Sequence, residues 1–183
     1  MARILVVALL MTGLVGCAGS AEGKVAGHNL AVADAIFGVT KDDDGKNNFL
    51  LVAMSDQPNL CDKFKANRRP KGATSLTFVM YRIADLKLLA PDQGEYTVTS
   101  DAFSNGNKAS VTFSREDSSC ADTISNNAGN GKSGLIKLTN LKAETGGTAN
   151  GTFDVTFGDG SLKGGFNATY CDLSQLTDNP NCE

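Results

Sequence analysis

Residues that could act as catalysts are few in this chain. One histidine, His28, occurs among the 183 residues, which excludes a metal site or catalytic pair built from two histidines. No Gly-x-Ser-x-Gly segment is present, so the nucleophile elbow of an α/β-hydrolase is excluded as well. Paired carboxylates could still hydrolyse a polysaccharide, because their separation depends on the fold, but the chain has no tryptophan to stack on sugars. The residue types predict a protein that is not an enzyme and has no cofactor.

Three aspartates followed by glycine, from Asp42 to Gly45, form the pattern closest to a metal-binding loop. If Gly45 took the sixth place of an EF-hand loop, Leu51 would take the twelfth, where a glutamate must supply two oxygen ligands to calcium. Leucine cannot do so. Charged residues and glycine between two apolar segments are typical of a solvated turn. We therefore expect a loop here and no metal site.

Five basic residues lie close together in an otherwise acidic chain. Lys and Arg number 17 against 20 Asp and Glu, a net charge of -3 that excludes a generally basic nucleic-acid-binding protein. A local cluster can still contact lipid phosphates or a polyanionic polymer, each charge contributing on the order of 1 kcal/mol near a membrane. The alternative is a soluble loop between strands. This basic cluster, our candidate for contact with an anionic surface, consists of Lys63, Lys65, Arg68, Arg69 and Lys71.

The elements that must position these residues show the alternating pattern of β-strands. The clearest segment, residues 151–157, places Phe153, Val155 and Phe157 on one face. After a Gly-Asp-Gly-Ser turn, residues 162–170 return with mostly apolar residues at alternate positions, which predicts a β-hairpin with one buried face. Two glycines inside the return strand, Gly164 and Gly165, predict a bulge or a sharp bend.

Six further segments have strand character, although their patterns are less regular. Residues 49–54 are continuously apolar, which predicts a strand covered on both faces. Helical turns are expected only at residues 84–89 and 173–176. Eight short strands with turn-rich connections predict one all-β domain over residues 28–183, an antiparallel sandwich or barrel supported by disulfides. The six additional strands are predicted at residues 31–39, 49–54, 75–83, 95–99, 110–113 and 134–138.

The first 16 residues have the pattern of an export signal. Arg3 precedes an apolar run that is too short to span a bilayer as a helix. The run ends in Leu14-Val15-Gly16-Cys17, which resembles the lipobox of bacterial lipoproteins. The resemblance implies that residues 1–16 are a signal peptide, and that Cys17 becomes the new N-terminus and is acylated, with palmitate among the acyl groups. The alternative, an ordinary secretory signal, would favour a small residue in place of Leu14.

Residues 17–27 are rich in small side chains and predict a lipidated flexible tether between the membrane and the domain. Ala18, in place of an aspartate after the lipidated cysteine, is similar to lipoproteins sorted to the outer membrane of a cell with two membranes. The resemblance thus implies a protein of the cell envelope that is held at a membrane by its lipid.

Once Cys17 is assigned to lipid, four cysteines remain, an even number for an oxidising compartment. Four cysteines allow three pairings, and spacing does not decide among them. We favour Cys171–Cys182, because turn residues between the two can fold the chain back, and this leaves Cys61–Cys120. A zinc site is disfavoured because the cysteines are scattered and no Cys-x-x-Cys occurs.

The C-terminal segment GTFDVTFGDGSLKGGFNATYC resembles the closing hairpin of small, uncharacterised β-rich bacterial lipoproteins built from repeated GTFDLTF and GSF strands. That resemblance implies a fold and no activity. We expect a membrane-anchored envelope lipoprotein with a non-enzymatic binding or scaffolding role, whose partner is an envelope protein or a polyanionic polymer and not a nucleic acid. Alternatives are a carrier of a small hydrophobic ligand in a barrel pocket and a carboxylate-dependent hydrolase of envelope polymers.

Overall fold

The structure is a computed structural model, and it describes residues 18–41, 47–85, 87–99, 104–174 and 181–183. Two predicted features lie outside these residues. One is the acidic loop from Asp42 to Gly45, and the other is Cys17 with the signal peptide before it.

The described residues form twelve strands and two short helices. Within the part of the chain that the structure describes, no helix is long and apolar enough to cross a membrane. The helices are α1 (Leu60–Lys65) and α2 (Asn126–Gly129). The strands are β1 (Gly19–Val25), β2 (Asp34–Lys41), β3 (Asn47–Ser55), β4 (Arg68–Arg69), β5 (Thr74–Ala84), β6 (Lys87–Leu89), β7 (Gly94–Val98), β8 (Gly106–Arg115), β9 (Gly131–Leu141), β10 (Thr148–Phe157), β11 (Gly160–Tyr170) and β12 (Asn181–Cys182).

Eight of the strands close into a barrel, in the order β2, β3, β5, β8, β7, β9, β10, β11 and back to β2. Neighbours are antiparallel except at β7–β8 and at the closing contact β11–β2. That closing contact is short and pairs Thr169 with Ile36 and Tyr170 with Phe37. Each predicted strand corresponds to one of these eight, so the all-β expectation is confirmed, and the barrel is the form that the fold takes.

Apolar side chains at alternate positions of the strands fill the barrel interior. Leu76, Phe78 and Met80 of β5 are completely buried and point inward. The ring of Phe78 lies 5.2 Å from the ring of Phe153 and 5.7 Å from that of Phe166, which come from the opposite wall. Side chains from facing walls therefore meet in the middle of the barrel, as in other barrels of this strand number.

The flexible tether predicted for residues 17–27 is wrong, because Gly19–Val25 form strand β1. This strand pairs antiparallel with β11, from Gly19 opposite Phe166 to Val25 opposite Gly160. It occupies the part of the β11 edge that β2 leaves unpaired, and Val25 is completely buried. A side chain at Gly23 would collide with the carbonyl oxygen of Ser161, so the small residues permit a close backbone approach. Composition alone does not reveal that a strand edge is available to pair.

Two local expectations, a bulge at Gly164 or Gly165 and a helical turn at residues 84–89, are also wrong. Strand β11 pairs with β10 in one continuous register, so no bulge occurs at Gly164 or Gly165. Glycine is needed at position 164 because a side chain there would collide with the carbonyl oxygen of Ser20 in β1. In place of the helical turn expected at residues 84–89, Lys87–Leu89 form β6, which pairs with the end of β5. The second half of the turn expected at residues 173–176 lies outside the described residues.

Disulfides join Cys61 to Cys171 and Cys120 to Cys182, with Cα atoms 5.6 and 5.7 Å apart. The favoured pairing, Cys171–Cys182 with Cys61–Cys120, is therefore wrong. Strand β12 pairs with β4 and holds Cys182 there, whereas α1 packs on the barrel and brings Cys61 to the end of β11. In the chain-entropy view, loops of 110 and 62 residues give each bridge about 4–5 kcal/mol of stabilisation.

Candidate ligand-binding pocket

Helix α1, which carries the start of the basic cluster, packs on the outer wall of the barrel. Leu60 and Phe64 are four residues apart and therefore lie on one face of the helix. They join a small apolar cluster that includes Ile36 and Ala53 of the wall. The backbone N–H of Leu60 also donates a hydrogen bond of 2.8 Å to Asp34 Oδ2. This apolar face fixes α1 to the barrel.

Strand β4, which follows α1, is held in place by residues 181–183 at the C-terminus. Strand β12 pairs with it in parallel, Asn181 beside Arg68 and Cys182 beside Arg69. The backbone N–H of Glu183 donates to the Arg69 carbonyl at 3.0 Å, and the Arg68 guanidinium lies 3.0 Å from the Glu183 carboxylate. The second half of the basic cluster is therefore held by backbone pairing and by the Cys120–Cys182 disulfide.

A pocket of about 140 Å³, which we name the helix pocket, lies between the α1–β4 segment and the outer wall of the barrel. Apolar groups line it together with a few polar and charged ones. From the α1–β4 segment the lining includes Leu60, Lys63, Phe64, Arg68, Arg69 and Pro70. From the wall and the residue after β8 it includes Ala53, Ser55, Ser75, Thr77 and Glu116.

Two charged residues of the helix pocket, Arg69 and Glu116, form an ion pair in which Nε lies 3.3 Å from Oε1. The Glu116 side chain is only 14% exposed. Arg69 Nε and Glu116 Oε2 are buried, and neither has a hydrogen-bond partner among the described residues. Buried polar atoms almost always have a partner, and one left without costs about 1–3 kcal/mol. Both atoms are enclosed by the protein rather than exposed in the pocket, and Arg69 Nε already faces Glu116 Oε1 within the ion pair.

The pKa values of Glu116, which lines the helix pocket, and of Asp117, the next residue, are shifted in opposite directions. Burial raises the pKa of Glu116; the nearby Arg69 opposes this rise, and the charges of Asp122 and Asp117 add to it. The pKa of Asp117 is lowered, because its Oδ1 accepts hydrogen bonds from the hydroxyl and backbone N–H of Ser119 and from the N–H of Ala121. Of the two, Glu116 is thus the carboxyl that holds its proton more firmly.

The structure places Lys63 and Lys65 on α1 and Arg68 and Arg69 on β4, whereas Lys71 lies in the turn that follows β4. Lys63, Arg68 and Arg69 line the pocket, and Lys65 and Lys71 are the chain neighbours of lining residues. Arg68 and Arg69 are used in ion pairs inside the protein. The three lysines have no carboxylate partner within the described part of the chain. Contact of the basic cluster with an anionic surface remains a prediction. The three lysines are the residues of the cluster that could pair with such a surface.

Sequence patterns do not single out Glu116. It is one of several acids near Cys120, and it reaches the pocket because β8 ends beside the start of β5. The apolar spacing of Leu60 and Phe64 is the signal that could identify α1, although two apolar positions are a weak indication of a helix.

Other candidate residues lie apart from the helix pocket. His28 is partly exposed, as expected, and its Nδ1 lies 2.9 Å from an Arg115 guanidinium nitrogen. The residues that the structure describes contain no group of three His, Cys, Asp or Glu side chains able to hold a metal. Glu116 is the one carboxylate among the described lining residues, so this pocket does not bring two acids together.

We compared the chain with protein-family models, with curated proteins and with solved structures, and none of the three comparisons finds a match. The helix pocket and the use of the cysteines are the observations from which we infer a function.

Proposed function

We propose that the protein is a cell-envelope lipoprotein, anchored in a membrane through an acylated Cys17, whose barrel has a non-enzymatic binding role. The observation that carries this proposal is the use of the cysteines. Of the five in the chain, the four after Cys17 are all joined in disulfides. Disulfides are typical of exported proteins in oxidising compartments. Cys17, outside these bridges, ends the segment that resembles a lipobox.

The start of β1 supports a role close to the membrane. Strand β1 begins at Gly19, two residues after Cys17. Since a residue extends the chain by at most about 3.6 Å, the barrel follows the anchor within about 7 Å. A barrel with so short a connection meets its partner at the membrane surface. By the lipoprotein resemblance, Ala18 directs the protein to the outer membrane of a cell that has two.

Two features favour binding at the surface over the alternative functions. A carrier needs an internal cavity, whereas core side chains such as Phe78 and Phe153 occupy the barrel interior. Hydrolysis of a glycosidic bond uses two carboxylates, whereas Glu116 alone is described in the helix pocket. The pocket and the lysines beside it suit an envelope protein or a polyanionic polymer. Nucleic acid is not expected, because the net charge is -3.

Acylation of Cys17 tests this proposal. The full chain is expressed in a bacterium with two membranes that is fed labelled palmitate, as the natural protein, as Cys17→Ser, and as Ala18→Ser for a control. We expect the natural protein and the control to carry the label and to fractionate with the outer membrane. Cys17→Ser is expected to be unlabelled and soluble, with both disulfides intact. A Cys17→Ser protein that keeps the label or stays with the membrane contradicts the proposal.

A further inference from the structure

We propose that the barrel lies with helix α1 against the bilayer that holds the acylated Cys17, and that Lys63, Lys65 and Lys71 contact the phosphates of anionic lipids there. The inference deepens the proposed anchoring and rests on it, because the acyl group sets the side of the barrel that meets the bilayer. It assigns these three lysines to the membrane in preference to a polyanionic polymer. The observation that carries it is the way strand β11 brings the anchor and α1 together.

Strand β11 places the start of β1 next to the part of the wall that lies under α1. One edge of β11 pairs with β10 along its length, so β1 and β2 share the other edge. On that edge the backbone N–H of Asn167 donates a hydrogen bond of 2.9 Å to the Ala18 carbonyl. Ile36 pairs with Thr169, two residues further along β11. Since two residues of a strand span about 7 Å, Ala18 and Ile36 are neighbours along this edge.

Helix α1 is fixed to the wall at this point. Its apolar face belongs with Ile36 to one cluster of apolar side chains, and a disulfide joins Cys61 of the helix to Cys171, directly after β11. The proposed anchor residue, Cys17, precedes Ala18, and the Cα atoms of consecutive residues are about 3.8 Å apart. The helix therefore lies beside the anchor, although the two are far apart in the sequence.

The lysines on this side of the barrel are available to a surface. Lys65 and Lys71 are exposed and Lys63 is half-buried, and none of the three has a carboxylate partner among the residues described. The exposed acids close to them are fewer, namely Asp62 on α1 and Asp172 just after β11. A basic patch beside a lipid anchor strengthens attachment to an anionic bilayer.

The charge of the whole chain favours one orientation at such a bilayer. The net charge is -3, so an anionic surface repels the barrel as a whole and attracts it only where unpaired basic residues lie together. The side that carries α1 is such a place, and it is also the side next to the anchor. The acyl group and the lysines therefore turn the same side of the barrel toward the membrane.

The reactivity of individual lysines in the anchored protein tests this inference. The natural acylated protein is inserted from detergent into preformed phosphatidylcholine vesicles, with or without roughly 30% phosphatidylglycerol as the anionic lipid. Acetic anhydride, an uncharged reagent, acetylates the lysines, and mass spectrometry gives the rate at each one. We expect the anionic lipid to slow acetylation of Lys63, Lys65 and Lys71 by roughly fivefold. At about 1 M salt, where charges are screened beyond about 3 Å, the slowing should disappear.

Lys137 on the outer face of β9 is the internal reference. Strand β9 lies four strands from β3 in the closed order of eight, on the side of the barrel opposite α1, and the Lys137 side chain is 59% exposed. Its acetylation rate should be the same in both kinds of vesicle. Equal rates for the three lysines with and without phosphatidylglycerol overturn the proposal, and so does an equal slowing at Lys137. Slowing by soluble polyphosphate but not by anionic vesicles assigns the lysines to a polymer and overturns it as well.

A double variant tests whether the lysines act together. Lys63→Gln combined with Lys65→Gln removes two of the three charges, so the slowing at Lys71 is expected to fall from roughly fivefold to less than about twofold. The matched control, Lys137→Gln, should leave the slowing at Lys71 unchanged. Intact disulfides in both variants, read from the same mass spectra, show that the fold is kept. Full slowing at Lys71 in the double variant contradicts a shared contact with the bilayer.

The outcomes for the anchor and for the orientation are distinguishable. Normal acylation of Cys17 together with equal lysine rates in both kinds of vesicle refutes the orientation alone and leaves the lipoprotein proposal standing. Absence of acylation, measured with labelled palmitate, refutes both, because the orientation requires the acyl group.

Discussion

Phe78 and Phe153 meet across the barrel, their ring centroids 5.2 Å apart although their strands lie on opposite walls. Residue 78 is completely buried and residue 153 almost so. Ring contact at this distance contributes beyond the burial of apolar area. The pair therefore contributes to the stability of the barrel and leaves no space for a ligand between the two rings.

Replacing Phe78 by alanine tests the packed interior. We expect Phe78→Ala to lower the free energy of unfolding by about 3–5 kcal/mol, because the ring is lost and the wall cannot collapse into its place. Thr112→Ala, at an exposed position on β8, is the matched control and is expected to change it by less than about 1 kcal/mol. Urea unfolding with the disulfides intact measures both. A cost for Phe78→Ala no greater than that of the control contradicts a filled barrel.

The pairing of β1 with β11 makes a second prediction. Gly23→Ala places a side chain against the Ser161 carbonyl, and such overpacking is expected to weaken the strand by about 1–3 kcal/mol. Limited trypsin digestion, with cleavage after Lys24 as the readout, should then proceed roughly tenfold faster than in the natural protein. Ser20→Ala, at an exposed position of the same strand, should leave the rate unchanged. Rapid cleavage of the natural protein at Lys24 would contradict the pairing of β1 and would support a flexible tether instead.

Burial of Glu116 predicts the direction in which stability changes with pH. Its pKa is raised above the usual 4.5, so the folded protein binds this proton more tightly than the unfolded chain does. The stability that Glu116 contributes relative to Glu116→Gln is thus fully present below pH 4.5 and is lost as pH rises through the folded pKa. Urea unfolding of the natural protein and Glu116→Gln across this range measures the difference.

Asp117→Asn is the control of opposite sign in the same titration. The hydrogen bonds to Asp117 lower its pKa below the usual 3.8, so its contribution is present above that pH and is lost as pH falls. The two differences should therefore change with pH in opposite directions. A Glu116 contribution that grows with rising pH would show that the Arg69 charge outweighs burial.

Much of the barrel follows from alternation along the chain. The hairpin predicted at residues 151–157 and 162–170 is observed as β10 and β11, with Phe153, Val155 and Phe157 buried as expected. Strand β3 is covered on both faces, since Leu50 and Val52 point into the barrel and Ala53 lies under α1. Alternation is local information, so the residues of each strand are sufficient to predict its buried face.

The helix pocket could be predicted only in part. The basic cluster lies within residues 63–71, so the sequence is sufficient to predict Arg69 as a candidate. It is not sufficient for Glu116, whose role depends on β5 pairing with β8 and bringing two distant segments together. The disulfide partners of Cys61 and Cys182 are mispredicted for the same reason, since spacing along the chain does not measure distance in the fold.

By itself the sequence determined the eight strands of the barrel, their buried faces and the resemblance to an exported lipoprotein, because each depends on neighbouring residues. The tertiary structure decided the strand order, the disulfide partners, the place of β1 and the pairing of Arg69 with Glu116. These features depend on which edges and side chains meet after the barrel closes. Pairing at a strand edge uses backbone groups and is nearly independent of side-chain type. Residues Gly19–Val25 therefore pair with the barrel although their composition does not predict a strand.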